Sequence, residues 1–314
     1  MTLTELKYIV AVARERHFGR AADACFVSQP SLSVAVKKLE EELGVAIFER
    51  RSQEVTLTAA GERIVAQAQR VLDESKRIKE IAAQGKDPLI GALRVGVIYT
   101  IGPYLLPGLV RQLLEDAPHM PLVLTENFTV RLLELLRAGE IDVGIMALPL
   151  PETGMMVQPV YDEAFAVAVP RQHPWARSPA VASTDLKEET MLLLGTGHCF
   201  RDQVLEVCPE MARYSSASEG MQKTFEGSSL DTIRHMVASG LGVTVLPMSS
   251  VPPEPPADSL IAYVPFSAPA PDRRVVLVWR KSYTRTAAIE ALRQAIAKVE
   301  MNGVSHLDLP PQSA

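Results

Sequence analysis

From Leu93 onward the sequence alternates apolar, strand-like runs with amphipathic helical segments, and this alternation restricts the possible folds more than any other feature. The first set comprises strands at 93–98, 122–126 and 141–146 and helices at 103–116 and 130–138. This order predicts parallel strands joined by right-handed crossovers. The carboxyl ends of such strands share one sheet edge, where small ligands bind. Thr100 and Thr129 follow two of these strands at that edge. Each could contact a ligand, cap the next helix, or do both.

A second set of strands and helices predicts a second lobe. Its strands lie at 164–169, 191–194, 223–226 and 243–246, and one helix is expected to begin at Ser228 with Asp231 in a capping box and to end at Gly240. We expect the strand at 274–279 and the helix at 286–299 to return to the first lobe. The predicted boundaries are lobe I at 88–163 and 268–302, lobe II at 164–267, and a flexible tail at 303–314.

The first 58 residues have a different pattern, which is typical of a winged helix-turn-helix. Helices are predicted at 3–13, 18–25 and 29–43, followed by short strands at 48–51 and 55–58. Ser28 precedes the third helix as its N-cap, and Pro30 stands in the first turn, where a missing N–H costs nothing. Two short helices around a tight turn are the arrangement that places the second helix in a DNA groove.

The third helix and the wing carry the side chains expected to contact DNA. Amide and hydroxyl groups suit base edges or phosphates, and cations suit phosphates. The candidates are Gln29, Ser31, Ser33, Lys37, Lys38, Arg50 and Arg51. The alternative is a small helical domain with a solvated polar face.

A long helix is predicted at 59–87, with Thr58 as its cap and a hinge at 84–88. Apolar or small residues recur along it at steps of four and three, at Ile64, Ala68, Val71, Ser75, Ile78 and Ala82. This heptad spacing predicts a dimerisation seam. Because the seam is short, the helix could instead lie on its own domain.

Composition limits the compartment and the partners. The net charge of −5 means that any DNA contact must come from a local patch. Three cysteines are too few for a disulfide scaffold and fit a reducing compartment. With no signal sequence and no membrane-length apolar run, we expect a cytoplasmic protein without membrane contact. No His and Cys set has zinc spacing, so we predict neither a metal nor a cofactor.

The most reactive combination of side chains lies in the segment Gly197-His198-Cys199-Phe200-Arg201-Asp202. An apolar run at 191–194 ends at Gly195, and a helical pattern starts near Phe200, so Cys199 is expected at a helix N-terminus. Helix N-termini and nearby cations favour a thiolate. We therefore expect Arg201 and a protonated His198 to support a reactive sulfur.

Cys208 follows nine residues after Cys199. On an unbroken helix this spacing spans about 13.5 Å, whereas a disulfide needs Cα atoms within about 7 Å. A sulfenic acid at Cys199 could therefore condense with Cys208 only if the segment unwinds, which would make a redox switch. The alternative is that both cysteines are small buried hydrophobic residues.

Several motifs resemble those of LysR-type transcriptional regulators. In the N-terminal region these are Phe18-Gly19-Arg20-Ala21-Ala22, Ser28-Gln29-Pro30-Ser31-Leu32-Ser33, Lys38-Leu39-Glu40, Leu43-Gly44 and Phe48-Glu49-Arg50. Within that family, Thr100-Ile101-Gly102-Pro103-Tyr104-Leu105-Leu106-Pro107 and the 197–202 segment with Cys208 are similar to the hydrogen-peroxide sensors. The resemblance covers nearly the whole chain.

The resemblance implies a linker helix and a two-lobed, periplasmic-binding-protein-like regulatory domain after the winged helix-turn-helix. It also implies that Cys199 is the peroxidatic thiol and Cys208 the resolving one. Thr100, Thr129 and His198, with Arg201 and Asp202, are then expected around the peroxide site. The implied partners are double-stranded promoter DNA, RNA polymerase, hydrogen peroxide as effector, and a thiol reductant such as glutaredoxin or thioredoxin. Homodimers are expected to assemble into a homotetramer that activates antioxidant genes.

Two other functions fit the same residues. One is a regulator of the same architecture that binds a small organic ligand between the lobes, with incidental thiols. The other is a thiol peroxidase with an appended DNA-binding module, which the absence of a C-x-x-C motif and the presence of the helix-turn-helix disfavour.

Overall fold

The computed structural model describes residues 1–50, 55–83, 89–151, 154–207 and 224–307. Its N-terminal unit is a winged helix-turn-helix, as the sequence predicts. The elements are α1 (Leu3–Glu15), α2 (Phe18–Ala24), α3 (Gln29–Leu43), β1 (Phe48–Arg50) and β2 (Val55–Leu57). Ser28 Oγ accepts the Ser31 N–H at the start of α3, and Gly44 ends the helix at φ 68°. Leu32, Val36 and Leu39 form the buried face of α3.

The linker helix α4 (Ala59–Ala83) starts where Thr58 Oγ1 accepts the Gly61 N–H at 2.8 Å. Its first half packs on the chain's own DNA-binding unit. Ala68 is buried in that core, and Ile64 and Val71 pack against it. Among the predicted seam residues whose burial the structure describes, Ile78 alone is exposed, at 70%. The predicted hinge at 84–88 lies outside the described residues.

Lobe I contains the parallel sheet predicted from the strand and helix alternation. Its elements are β3 (Leu93–Ile98), α5 (Gly102–Asp116), β4 (Leu122–Asn127), α6 (Thr129–Arg137) and β5 (Val143–Ala147). The central strand β3 pairs in parallel with both β4 and β5. An apolar core built on these strands and helices includes Leu105, Leu132 and Ile145.

One long strand, β6 (Met156–Pro170), runs through both lobes. The other elements of lobe II are β7 (Met191–Leu194), α7 (Cys199–Val207), β8 (Thr224–Gly227), α8 (Leu230–Ala238), β9 (Thr244–Pro247) and β10 (Ile261–Pro265). The second half of β6 pairs with β9 and β10, and β7 pairs in parallel with β8. A second apolar core fills this lobe.

The chain returns to lobe I through β11 (Asp272–Trp279), which lies antiparallel between β5 and the first half of β6. The helix α9 (Thr286–Ala297) then packs on α5. This return agrees with the expectation from the sequence. The two lobes are therefore joined by β6, which runs through both, and by the return of the chain into β11.

Two local expectations are wrong. The N-cap of α8 is Ser229 rather than Ser228, because the Ser229 Oγ accepts the Thr232 N–H at 3.2 Å. The predicted tail from 303 to 314 is not all tail, because β12 (Val304–His306) pairs with β6. This pairing extends the sheet by hydrogen bonds from a segment too short and too polar for its sequence to indicate a strand.

Two ion pairs connect the DNA-binding region with lobe I. Arg14 Nη1 lies 3.0 Å from Glu140 Oε1, and Arg280 Nε lies 3.0 Å from Asp73 Oδ2. The second pair is largely buried, and Ser282 Oγ also donates to Asp73 at 3.1 Å. No helix within the described ranges is long and apolar enough to cross a bilayer.

Candidate thiol site

Cys199 is the first residue of α7, as the sequence predicts. The turn before it contains Gly197 at φ 101°, a conformation that favours glycine, and a Cβ at this position would lie 3.4 Å from the Phe128 ring. Cys199 is half-buried and packs against the core of lobe I, whereas Phe200 is buried in the core of lobe II. The sulfur-bearing residue therefore stands at the junction of the two lobes.

Three segments enclose a cavity of about 10 Å³ around this residue. Its walls come from the end of β3, the end of β4 and the turn before α7, and the lining residues are Ile98, Tyr99, Thr100, Asn127, Phe128, Thr129, Gly197, His198 and Cys199. A cavity of this size is at the lower limit for one water molecule. The structure thus brings together four of the predicted site residues, Thr100, Thr129, His198 and Cys199.

The two threonines are buried, but their hydroxyls do not cap helices. The N-caps of α5 and α6 are Ile101 and Phe128, and neither helix has a side-chain cap. Thr100 Oγ1 accepts a hydrogen bond from Arg273 Nη1 at 2.9 Å. Thr129 Oγ1 is buried without a hydrogen-bond partner within the part of the chain that the structure describes. This hydroxyl is available to a small polar molecule in the cavity.

His198 lies against aromatic rings, with its ring centroid 4.8 Å from that of Phe128 and 5.9 Å from that of Tyr99. Burial lowers the pKa of His198 below its ordinary value, and a hydrogen bond with the Ser228 backbone offsets this only in part. These apolar surroundings disfavour the protonated form expected from the sequence, so a protonated His198 beside the thiol stays a prediction.

Arg201 and Asp202 do not line the cavity, as far as the described residues define it. The Arg201 guanidinium donates to the Leu194 carbonyl at 3.0 Å, at the end of β7, and Asp202 is exposed on α7. Their part in activating the thiol stays a prediction.

Arg273 is a site residue that the sequence analysis missed. It is fully buried, and its Nε donates to Glu163 Oε2 at 2.7 Å. Its Nη2 donates to the Thr100 carbonyl at 3.0 Å, and its Cζ lies 5.2 Å from the centre of the Phe200 ring. Arg273 therefore contacts both a cavity wall and the residue after Cys199. The strand begins with three charged residues, Asp272, Arg273 and Arg274, and the sequence does not show which of them is buried because the partners of Arg273 are distant in the chain.

Gln203, one turn into α7, was also missed. Its Nε2 donates to the Leu148 carbonyl at 2.6 Å, and its buried Oε1 has no partner among the residues described. This bond connects α7 of lobe II with the end of β5 in lobe I.

The predicted DNA-contact residues mark the outer face of α3. Gln29, Ser31, Lys37 and Lys38 are exposed, and Ser33 is half-buried. Lys37 forms an exposed pair with Glu41 at 3.7 Å, an interaction that contributes little in water. Arg50 ends β1, and Arg51 lies outside the described residues.

Cys208 lies outside the described residues, so its geometry relative to Cys199 is not described. Within the described ranges, no three His, Cys, Asp or Glu side chains converge as a metal site would require.

Comparison with known proteins agrees with this architecture. Residues 3–62 match the bacterial regulatory helix-turn-helix proteins of the lysR family, and residues 86–300 match the LysR substrate binding domain. The Escherichia coli K12 protein described as the DNA-binding transcriptional dual regulator OxyR is 41% identical over 98% of each chain.

Solved structures extend the likeness to three dimensions. A full-length OxyR variant from Pseudomonas aeruginosa is 51% identical, covers 99% of each chain and superposes with a TM-score of 0.79. A cysteine variant of Corynebacterium glutamicum OxyR with hydrogen peroxide bound is 35% identical, covering 95% of this chain and 92% of that one, with a TM-score of 0.63. The chain therefore belongs to the LysR family of bacterial regulatory helix-turn-helix proteins and, within it, to the OxyR regulators.

Proposed function

We propose that this regulator senses hydrogen peroxide at Cys199 and, in response, activates antioxidant genes from promoter DNA. The observation that carries the proposal is the placement of Cys199 at the first position of α7, beside a cavity with an unpartnered Thr129 hydroxyl. The hydroxyl offers a hydrogen bond to a peroxide oxygen next to the sulfur. The named activity of the relatives, hydrogen peroxide-inducible gene activation, supports the same function.

The size of the cavity favours peroxide over an organic effector at this position. Pockets for organic ligands usually have volumes of roughly 300–1,000 Å³, whereas this one has about 10 Å³. A molecule with two heavy atoms needs only small side-chain movements to enter. At the thiol itself, the cavity therefore fits peroxide better than an organic effector.

The proposed chemistry has two steps. The Cys199 thiolate attacks one peroxide oxygen, the O–O bond breaks, and the departing hydroxide takes a proton to become water, leaving a sulfenic acid. The Cys208 thiol then attacks this sulfur and expels a second water as the disulfide forms. A neutral His198 can accept the proton released by a thiol, and the N-terminus of α7 stabilises negative charge nearby.

Disulfide formation requires α7 to unwind. In the structure this helix extends over nine residues, Cys199–Val207, so Cys208 follows its last residue. If the helix continued through the next residue, the nine-residue spacing would separate the two Cα atoms by about 13.5 Å, farther than a disulfide permits. Oxidation would therefore exchange the helix for another conformation at the junction of the lobes.

The remaining partners follow from this function. We propose that α4 pairs two chains through its exposed side, where Ile78 lies, and not through Ile64, Ala68 and Val71, which pack on the chain's own DNA-binding unit. Dimers would then form a tetramer on DNA, and the tetramer would contact RNA polymerase. Thioredoxin or glutaredoxin would supply the two electrons that reset the disulfide. A regulator bound to chromosomal DNA and reset in this way acts in the cytoplasm, as a sensor and not as an enzyme.

The first test is intact-mass and peptide mapping of the reduced protein after about one equivalent of hydrogen peroxide. We expect a Cys199–Cys208 linkage in the wild type, a trapped sulfenic acid at Cys199 in Cys208→Ser, and neither product in Cys199→Ser. Unreacted thiols at this dose would contradict peroxide sensing and favour the organic-ligand alternative. Continuous peroxide consumption in the presence of thioredoxin would favour the peroxidase alternative.

A further inference from the structure

Phe26 is an unusual residue in the turn between α2 and α3. It is 95% exposed, the highest value among the large hydrophobic side chains described. Its φ of 56° places it in the left-handed region, where a residue with a Cβ is less stable than glycine. The chain thus keeps an aromatic residue where neither packing nor backbone geometry favours one.

The turn itself does not need this ring. The Val27 N–H donates to the Ala22 carbonyl at 3.0 Å, and the Phe26 N–H donates to the Asp23 carbonyl at 3.1 Å. Val27 and Cys25, on either side of Phe26, pack against the core of the DNA-binding unit. The backbone hydrogen bonds and the two neighbours hold the turn, while the ring of Phe26 stays in solvent.

A second apolar side chain, Val34, is exposed on the outer face of α3, at 68%. It stands three residues after Ser31 and three before Lys37, so the three residues share one side of the helix. Valine is a poorer helix former than alanine and gains nothing here from burial. Val34 therefore lies among the residues of α3 predicted to contact DNA, and Phe26 lies in the turn that precedes them.

We propose that Phe26 and Val34 read thymine by contact with its C5-methyl group in the major groove. This inference rests on the DNA-binding function of the family and adds a specificity to it. In a helix-turn-helix, the N-terminal residues of the second helix approach base edges. Apolar side chains, phenylalanine among them, contact the thymine methyl, which is the one apolar group in the major groove. Neither residue has a side-chain donor for phosphate, and the neighbouring Lys37 and Lys38 favour DNA over an apolar protein partner.

The test uses a DNA site selected from random sequence with the reduced, full-length wild-type protein. Each thymine of the site is then replaced singly by deoxyuridine, which removes only the methyl group. At fixed salt, we expect wild-type Kd to rise about threefold to fivefold for each effective substitution, at one or two positions, which is the effect of burying one methyl equivalent. Phe26→Asn and Val34→Ala should bind the unmodified site weaker by a similar factor and be insensitive to deoxyuridine at their own position.

Two controls separate base reading from a structural role. Val45→Ala, which alters a residue that is 40% exposed just beyond α3, should keep both the affinity and the deoxyuridine response of the wild type. Asparagine tolerates the left-handed region, so Phe26→Asn should melt at the same temperature as the wild type or higher. A lower melting temperature with weaker binding to all DNA would indicate a structural role.

If no deoxyuridine substitution changes wild-type affinity, or if both variants keep the wild-type response, the inference is overturned while DNA binding stands. If the variants instead lose self-association with DNA affinity unchanged, the surface serves contacts between chains. Failure of the wild type to select any DNA sequence would overturn the proposed function as well.

Discussion

The cavity beside Cys199 contains two threonines at equivalent strand-to-helix turns, yet their hydroxyls have different surroundings. The Thr100 hydroxyl is engaged by Arg273, whereas the Thr129 hydroxyl is buried and without a partner among the described residues. A buried polar group without a partner costs free energy. Such a cost is typical of a position where a ligand supplies the missing hydrogen bond.

Thr129→Val should slow the oxidation of Cys199 by peroxide by roughly tenfold or more, because one hydrogen bond to the reacting oxygen is lost. The free energy of unfolding should stay the same or rise slightly, since an unpaired buried hydroxyl is replaced by a methyl group. Stopped-flow oxidation rates and denaturant titrations measure the two effects.

Thr100→Val provides the contrast for this prediction. It leaves a buried guanidinium N–H of Arg273 without its acceptor, and it should destabilise the protein by about 1–3 kcal/mol. Equal oxidation rates for Thr129→Val and the wild type would remove Thr129 from the peroxide site.

At the scale of the element, α7 packs on lobe II and also contacts lobe I, through Cys199 and through a hydrogen bond from Gln203. Phe200 and Val204 are buried in the core of lobe II, and Gln203 donates to the Leu148 carbonyl. In the proposed switch this helix exists only in the reduced protein. Its packing therefore contributes to the reduction potential of the disulfide.

Val204→Ala should make the reduction potential of the Cys199–Cys208 pair more negative. Loss of two buried methyl equivalents destabilises the folded α7 by about 1.5 kcal/mol, which corresponds to about 30 mV for a two-electron couple. The sign follows because weakening the reduced form favours the oxidised one. Equilibration in dithiothreitol redox buffers, read by mass spectrometry, gives the potential.

Glu206→Ala is the matched control, because Glu206 is exposed on the same helix and its replacement removes no buried contact. The reduction potential of the Cys199–Cys208 pair in Glu206→Ala should equal that of the wild type. If Val204→Ala also leaves the potential unchanged, the packing of α7 is not part of the redox equilibrium.

At the scale of the whole molecule, β6 and β11 join the two lobes, and a buried ion pair lies where they meet. Glu163 and Arg273 are directly opposite each other in the sheet, and both side chains are fully buried. Glu163 Oε1 also accepts the Ser249 N–H of lobe II at 2.9 Å, while Arg273 donates to Thr100 of lobe I. This network connects the lobes through the cavity wall.

Glu163→Gln should destabilise the protein by about 3–5 kcal/mol, because it leaves the Arg273 charge buried without its partner. The neighbouring pair of Asp162 and Arg274 occupies the next register position on the same two strands but is much more exposed. Asp162→Asn should therefore lower the free energy of unfolding far less than Glu163→Gln. Denaturant unfolding at constant pH measures both, and similar losses for the two variants would contradict a special role for the buried pair.

Local patterns were sufficient to predict the winged helix-turn-helix. The bounds of α3 agree with the prediction because Ser28, Pro30 and Gly44 act within a few residues of the helix ends. The parallel order of β3, β4 and β5 was also predictable, because each crossover is a short local unit. The strand β12 was not, since its hydrogen bonds come from the distant strand β6.

The sequence by itself determined the family, the helix-turn-helix and the position of Cys199 at a helix N-terminus, because each depends on residues close together in the chain. The tertiary structure alone decided the direction of the pKa shift of His198, the different surroundings of Thr100 and Thr129, and the place of Arg273 beside them. Burial lowers the pKa of His198 through rings brought from other strands. Arg273 reaches Thr100 across 173 positions of sequence. Desolvation and long-range hydrogen bonds depend on how the folded lobes surround a group, and no local pattern encodes them.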